Sequence, residues 1–535
     1  MQVLFQSSSE GSVPGLGIIS SKIGLFSNED KTVPHMGWNS VHLLDAPHGD
    51  GDAADEGLDE ALHYYFVHSY RAAYDPEREP DAARWAHSVT QYGREVFVAT
   101  VRRDNVFGCQ FHPEKSGDAG MCLLDTWLRL RQPATSAVAR SRPSPPTPTP
   151  APRVPFPPAP RDGFTKRIIA CMDVRANDQG DLVVTKGDQY DVREKRRPTG
   201  LIEGPSSLPT PATATTTTTT TTSPLASSAT VTATVAGAVR NLGKPVALAA
   251  RYYAAGADEL ALLNITSFRH SPLHDQPMLA VVRAAAANVF IPLTIGGGIR
   301  DTVDPDGTPR SALEVAGAYF RAGADKVSIG SEAVYAVERL RAAATADTDT
   351  EVRRGDGSSA IETIAHAYGR QAVVVSVDPK RVYVDASTYD GPRRDELIHG
   401  SGDEEGKAWW YQCTVSGGRE ARDLSVVELG RGAEVLGAGE ILLNSIDRDG
   451  TGRGFDLDLV NLVRRNVSIP VVASSGAGNV QHFVDVFEKT GVEAALAAGI
   501  FHRGEVQIDE VKESLVTHNI NSRKTKPSIW GKDVE

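Results

Sequence analysis

The feature that most constrains the fold is a repeat within the C-terminal part of the chain. Ile291-Pro292-Leu293-Thr294-Ile295-Gly296-Gly297-Gly298 matches Ile469-Pro470-Val471-Val472-Ala473-Ser474-Ser475-Gly476, with Pro470 placed 178 positions after Pro292. Gly256-Ala257-Asp258-Glu259-Leu260 matches Gly437-Ala438-Gly439-Glu440-Ile441, with Glu440 placed 181 positions after Glu259. Around these repeats, short apolar runs alternate with amphipathic helical stretches, the pattern of βα units on a parallel sheet. Strands are expected at 167–173, 259–265, 291–296, 326–330, 372–378, 440–446, 469–474 and 494–499. Eight units in two similar halves predict an α/β fold whose C-terminal part is a closed (β/α)8 barrel.

Each half opens on a strand that delivers a carboxylate. In Arg167-Ile168-Ile169-Ala170-Cys171-Met172-Asp173, side chains alternate, so Arg167 and Asp173 share the inward face at opposite ends. Asp378 ends the corresponding strand 205 positions later, a gap lengthened by a biased insertion. Strands one and five lie across the mouth from each other, and two carboxylates there can divide general-acid and general-base work. Strand-end glycines let backbone N–H groups approach an anion. Gly297 and Gly298, with Ser331 after the fourth strand, form one such site. Ser475, Gly476 and Gly499 form its symmetry mate. A substrate with a phosphate at each end fits that arrangement. At the other mouth, Arg167, Glu259, Lys326 and Glu440 each open a strand. Four charges there would be costly to bury unless paired with one another, and a stabilising cluster is the plain reading.

Ahead of the barrel, residues 1–130 carry short strands near 62–70 and 96–101, then Gln110-Phe111-His112-Pro113-Glu114-Lys115-Ser116-Gly117 and a helix. Pro113 stiffens the link between an imidazole and a carboxylate that could orient it, two-thirds of a nucleophilic triad. A proline-rich tether covers 131–160. The insertion at about 197–238, with Thr215 to Thr222 unbroken, has too few large apolar groups to fold and is expected to be disordered. The barrel is expected to span 161–520, and 521–535 to form a tail. A net charge of −12 argues against nucleic-acid binding, and no apolar run approaches the length of a membrane span. Cys109, Cys122, Cys171 and Cys413 lack disulfide or metal-ligand spacing, so no metal or other cofactor is expected and a cytoplasmic location is.

Two sets of motifs carry a resemblance. The string at 110–117, with Pro34-His35-Met36-Gly37-Trp38-Asn39 and 64–70, resembles the class I glutamine amidotransferases. In them a cysteine on a strand-to-helix elbow acts with a His and a Glu, here His112 and Glu114. The resemblance covers about the second half of such a domain, the cysteine segment has no counterpart, and loss of glutamine hydrolysis in the chain as written is the expectation. Ala170-Cys171-Met172-Asp173-Val174, 183–188, 293–300, 376–381, 439–450 and 473–478 resemble the cyclase half of the imidazole glycerol phosphate synthases. That family combines ammonia with a bisphosphorylated formimino-aminoimidazole-carboxamide ribonucleotide. The resemblance implies that Asp173 and Asp378 are the acid/base pair. It further implies that Lys186 lies in a loop closing over substrate, and that Asp449 and Gly450 border a phosphate. Asn264, where bacterial relatives often carry Asp, is implied to position substrate. Arg167, Glu259, Lys326 and Glu440 become an ammonia gate beneath an intramolecular glutaminase contact. Two other readings stand beside this one: the related phosphoribosyl-formimino sugar isomerase, and a scaffold without activity.

Overall fold

The structure is a computed structural model that describes residues 1–11, 14–44, 57–130, 163–176, 182–185, 244–265, 277–304, 306–346 and 355–523. The proline-rich tether, the threonine-rich insertion, Lys186 and most of the expected tail lie outside them.

Eight parallel strands form the barrel: β1 (Arg167–Ala176), β2 (Glu259–Asn264), β3 (Leu293–Gly296), β4 (Lys326–Ile329), β5 (Val373–Val377), β6 (Glu440–Asn444), β7 (Val471–Ser474) and β8 (Ala494–Ala497). They follow one another in chain order around the sheet, and β8 pairs back onto β1 through Arg167↔Ala494 to Ala170↔Ala497. Closure leaves no free edge. Outward-facing Val, Ile and Leu side chains pack under the helices in one large cluster. Inward, a smaller plug of Ile169, Cys171, Ala261, Val374, Leu442, Val472, Ala494 and Leu496 fills the middle of the barrel. This plug lies between the two mouths.

β1 runs three residues beyond the expected end at Asp173, because Asp173 to Ala176 pair antiparallel with Leu182–Thr185. The same happens after β5: Pro379–Val384 pairs antiparallel with Ala408–Val415. Both acid-bearing strands therefore leave the barrel as hairpins.

The N-terminal lobe packs two aromatic and aliphatic cores around strands that include Ile19–Leu25, His35–Ser40, His63–His68, Ala86–Tyr92 and Glu95–Arg103. The helix Gly117–Leu130 follows the His112 segment. Cys109 packs half-buried at the edge of the second core, and burial pushes its thiol up to about 11.

The lobe's contacts show where it docks. Trp38 Nε1 donates to the carbonyl of Asp258 (3.0 Å), Gly117 N to Phe290 (2.8 Å), and Val33 N to Ser468 (3.0 Å). Lys115 Nζ lies 2.8 Å from Asp325 Oδ2. Asp258 and Asp325 each immediately precede a barrel strand, while Phe290 and Ser468 each stand three residues before one. The lobe thus covers the N-terminal mouth. Order in the barrel extends past the expected boundary at 520: Lys166 bridges Ser522, and the Arg523 guanidinium stacks 4.1 Å above the Trp38 ring.

Candidate active site and the two mouths of the barrel

The upper mouth opens into a cavity of about 370 Å³. Its wall includes Asp173, Asp378, Asn264, Gly297, Gly298, Ser331, Asn444, Asp449 and Ser475. Asp173 and Asp378 stand at the ends of β1 and β5, four strands apart in an eight-stranded ring, hence across the opening from each other. Burial, and then the charge of Asp449, pushes the Asp173 carboxyl up to about 7. Burial also raises Asp378, but Asn444 Nδ2 donates to its Oδ1 at 2.8 Å and opposes the rise. Two carboxyls in one cavity thus differ in their hydrogen bonding.

The anion loops keep the symmetry seen in the sequence. Gly297 and Gly298 have φ of 92° and 77°, and Ser475 and Gly476 have 75° and 93°. Each loop thus carries two consecutive positive-φ residues at corresponding places after β3 and β7. Ser475 adopts a positive φ without glycine's freedom, a strain that such sites commonly store. Ser331 begins the helix Ser331–Ala346 beside the first loop. Gly476 and Gly499 adjoin the wall residues Ser475 and Ala498 without being part of the wall themselves.

Asp449 and Asn264 have neighbours that the sequence did not show. Asp449 lines the cavity, and its charge raises both acids, so its carboxylate faces other carboxylates; Gly450 is outside the wall. Asn264 also lines the cavity, but its side chain hydrogen-bonds with Tyr319 on the helix Ala312–Ala322. Asn264 lies an odd number of positions after Glu259, so it leaves the inward face that Ala261 shares. Asn444, which no sequence motif singled out, takes the inward place on β6. It lies four residues after inward-facing Glu440, a spacing that was available to find it.

At the floor, the four charges close a ring. Arg167 Nη1 lies 2.7 Å from Glu259 Oε2, and its Nη2 pairs with Glu440. Lys326 Nζ reaches Glu259 Oε1 and Glu440 Oε2, both at 2.6 Å. All four side chains are at most 2% exposed. Burial alone would push the Glu440 carboxyl up; Arg167 and Lys326 overcome it and hold the group below its ordinary value. Thr294 donates to Glu259 at 2.6 Å, and Lys326 Nζ stands 3.5 Å from Met36 Sδ of the docked lobe. In the lobe, His112 Nδ1 lies 2.9 Å from Glu114 Oε1 on the turn Pro113–Lys115.

Comparisons with known proteins agree with this geometry. A family model described as histidine biosynthesis protein matches residues 229–352 and 355–507, and one described as glutamine amidotransferase class-I matches 1–126. The chain is 46% identical to imidazole glycerol phosphate synthase hisHF of Emericella nidulans, over 99% of this chain and 85% of that protein. With the Schizosaccharomyces pombe protein of the same name, identity is 46% over 97% and 84%. The barrel alone is 39% identical to the HisF subunit of Methanopyrus kandleri, over 54% of this chain and 90% of that subunit. These matches decide between the synthase and the two alternatives that the sequence left open. The chain belongs to the imidazole glycerol phosphate synthase family, the histidine-biosynthesis enzymes that here join a glutamine amidotransferase lobe to a cyclase barrel in one polypeptide.

Proposed function

We propose that the upper cavity is where ammonia and a bisphosphorylated formimino-aminoimidazole-carboxamide ribonucleotide give imidazole glycerol phosphate and an aminoimidazole-carboxamide ribonucleotide. The observation that carries this reading is the placement of Asp173 and Asp378 in one cavity, between two loop pairs of matching left-handed geometry. Gly297, Gly298 and Ser331 take one phosphate, and Ser475, Gly476 and Gly499 take the other. Asp173, raised to about 7, keeps a proton near neutrality and serves as the acid. Asp378, whose anion accepts from Asn444, serves as the base. Asp449 raises both acids by its charge, and the Asn444 hydrogen bond to Asp378 is what separates them.

Ammonia enters through the floor. Arg167, Glu259, Lys326 and Glu440 form the gate, and the lobe covers it through Met36 and Trp38. His112 and Glu114 stand as the base and orienting group of an amidotransferase triad whose cysteine has no counterpart here. The lobe and barrel therefore act as partners within one chain. We place the protein in the cytoplasm, in keeping with four free cysteines.

The test is turnover of the ribulosyl substrate with ammonium salts. Asp378→Asn and Asp173→Asn should each lower kcat by about 10²–10⁴-fold, the usual size of a lost acid or base. A loss of under about tenfold in both would remove the pair from the chemistry.

A further inference from the structure

Loop 445–456, between β6 and the helix Leu457–Arg464, carries Asp449 into the cavity, and one arginine holds this loop at both ends. The backbone N–H of Arg381 donates to Asp447 Oδ2 at 2.8 Å. Its side chain then runs outward, and Nη2 reaches Asp456 Oδ2 at 3.0 Å. Asp456 is the loop's last residue and caps that helix through Leu459 N. It also accepts from Tyr411 OH (2.8 Å) and from Ser445 Oγ (3.2 Å), which closes the loop on itself. Both oxygens of Glu404 lie 2.8 Å from Arg381 Nη1, and the guanidinium stands 4.2 Å above the Trp409 ring. Arg381 lies three residues past Asp378, so the brace begins where the acid ends.

A buried ion cluster of this kind adds little net stability over apolar packing of the same volume. What it does provide is a fixed distance between the exit of β5 and both ends of the loop. Within the loop, Asp449 N donates to Ser445 O at 2.9 Å, so the turn bearing the carboxylate is built on the residue that Asp456 clamps. We propose that Arg381, oriented by Glu404, is the positioning residue that sets Asp449 among Asp173 and Asp378. This proposal rests on reading those two aspartates as the reacting pair. It gives a function to segment 385–407, the excursion that supplies Glu404. A lysine at 381 would keep the charge but not the planar fork that spans Glu404 and Asp456.

The experiment is a double-mutant cycle in the full chain, reading ammonium-dependent kcat at saturating ribulosyl substrate. Arg381→Lys should lower kcat about tenfold with KM changed less than about twofold, as expected when a group near the reacting atoms is displaced while substrate binding is kept. Combined with Asp449→Asn, the same substitution should cost less than about twofold further, because its effect passes through Asp449. If the two losses multiply, or if Asp449→Asn leaves kcat unchanged, Arg381 does not act through Asp449 and the proposal is wrong. Glu404→Gln, a milder change at a partly exposed side chain, runs through the same cycle and decides the matter should Arg381→Lys fold poorly. Full activity in Asp378→Asn would instead overturn the underlying reading of the acid pair.

Discussion

The two mouths of the barrel handle charge in opposite ways. At the floor, Arg167, Glu259, Lys326 and Glu440 alternate in sign and satisfy one another at 2.6–2.7 Å. At the top, Asp173, Asp378 and Asp449 face one another, with Asn444 as the hydrogen-bonding neighbour of Asp378. The same strands supply both: β1 carries Arg167 and Asp173, and β6 carries Glu440 and Asn444. Six residues of strand and an apolar plug lie between the compensated cluster and Asp173, whose carboxyl burial and the Asp449 charge raise to about 7. Compensation marks the end of the barrel that the lobe covers. The opposite end brings Asp449 close enough to raise both Asp173 and Asp378.

The comparison breaks first if the floor charges are not interdependent. Lys326→Met keeps the stem and removes the charge, leaving Glu259 and Glu440 to share Arg167. Stripping one partner from a buried pair costs about 3–5 kcal/mol, so the denaturant midpoint should fall sharply. The surviving folded protein should keep most of its ammonium-dependent turnover. An unchanged midpoint would show that the ring is not a closed network.

A smaller effect sharpens the contrast, because the two mouths should respond to pH with opposite sign. Asp173 has its folded value raised from 3.8 to about 7. Between those values the folded chain binds a proton that the unfolded chain releases, so this group's contribution to stability falls as pH rises through the window. Glu440 is held below 4.5, so its contribution is complete above 4.5 and is lost as pH falls through its lowered value. Asp173→Asn should therefore be more stable than the parent above pH 7 and similar to it at pH 4. Glu440→Gln should be less stable than the parent at pH 7, with the deficit shrinking in acid. Parallel pH curves for the two variants would remove the distinction between the mouths.

Much of this was legible in the sequence, for identifiable reasons. Buried parallel strands read as apolar runs, and the half-barrel repeat located all eight to within a few residues. Inward parity placed Arg167 and Asp173 at opposite ends of β1 and, with Glu440, would have found Asn444. What escaped depended on contacts between loops. The extension of β1 needs the antiparallel partner Leu182–Thr185, which no periodicity within 167–173 announces. The place of Asp449 among the acids depends on how loop 445–456 folds back, and its last residue, Asp456, bonds Arg381 and Tyr411 from two other segments. Asn264 shows the limit of symmetry: its distance from Glu259 exceeds that of Asn444 from Glu440 by one residue, and one residue turns a side chain to the other face.

The most direct measurement is a crystal structure of the full chain with the bisphosphorylated ribonucleotide bound. It should show one phosphate on the N–H groups around Gly297, Gly298 and Ser331 and the other around Ser475, Gly476 and Gly499. Asp173 and Asp378 should flank the middle of the molecule. Both phosphates on one loop pair, or a substrate centre out of reach of either aspartate, would contradict the account.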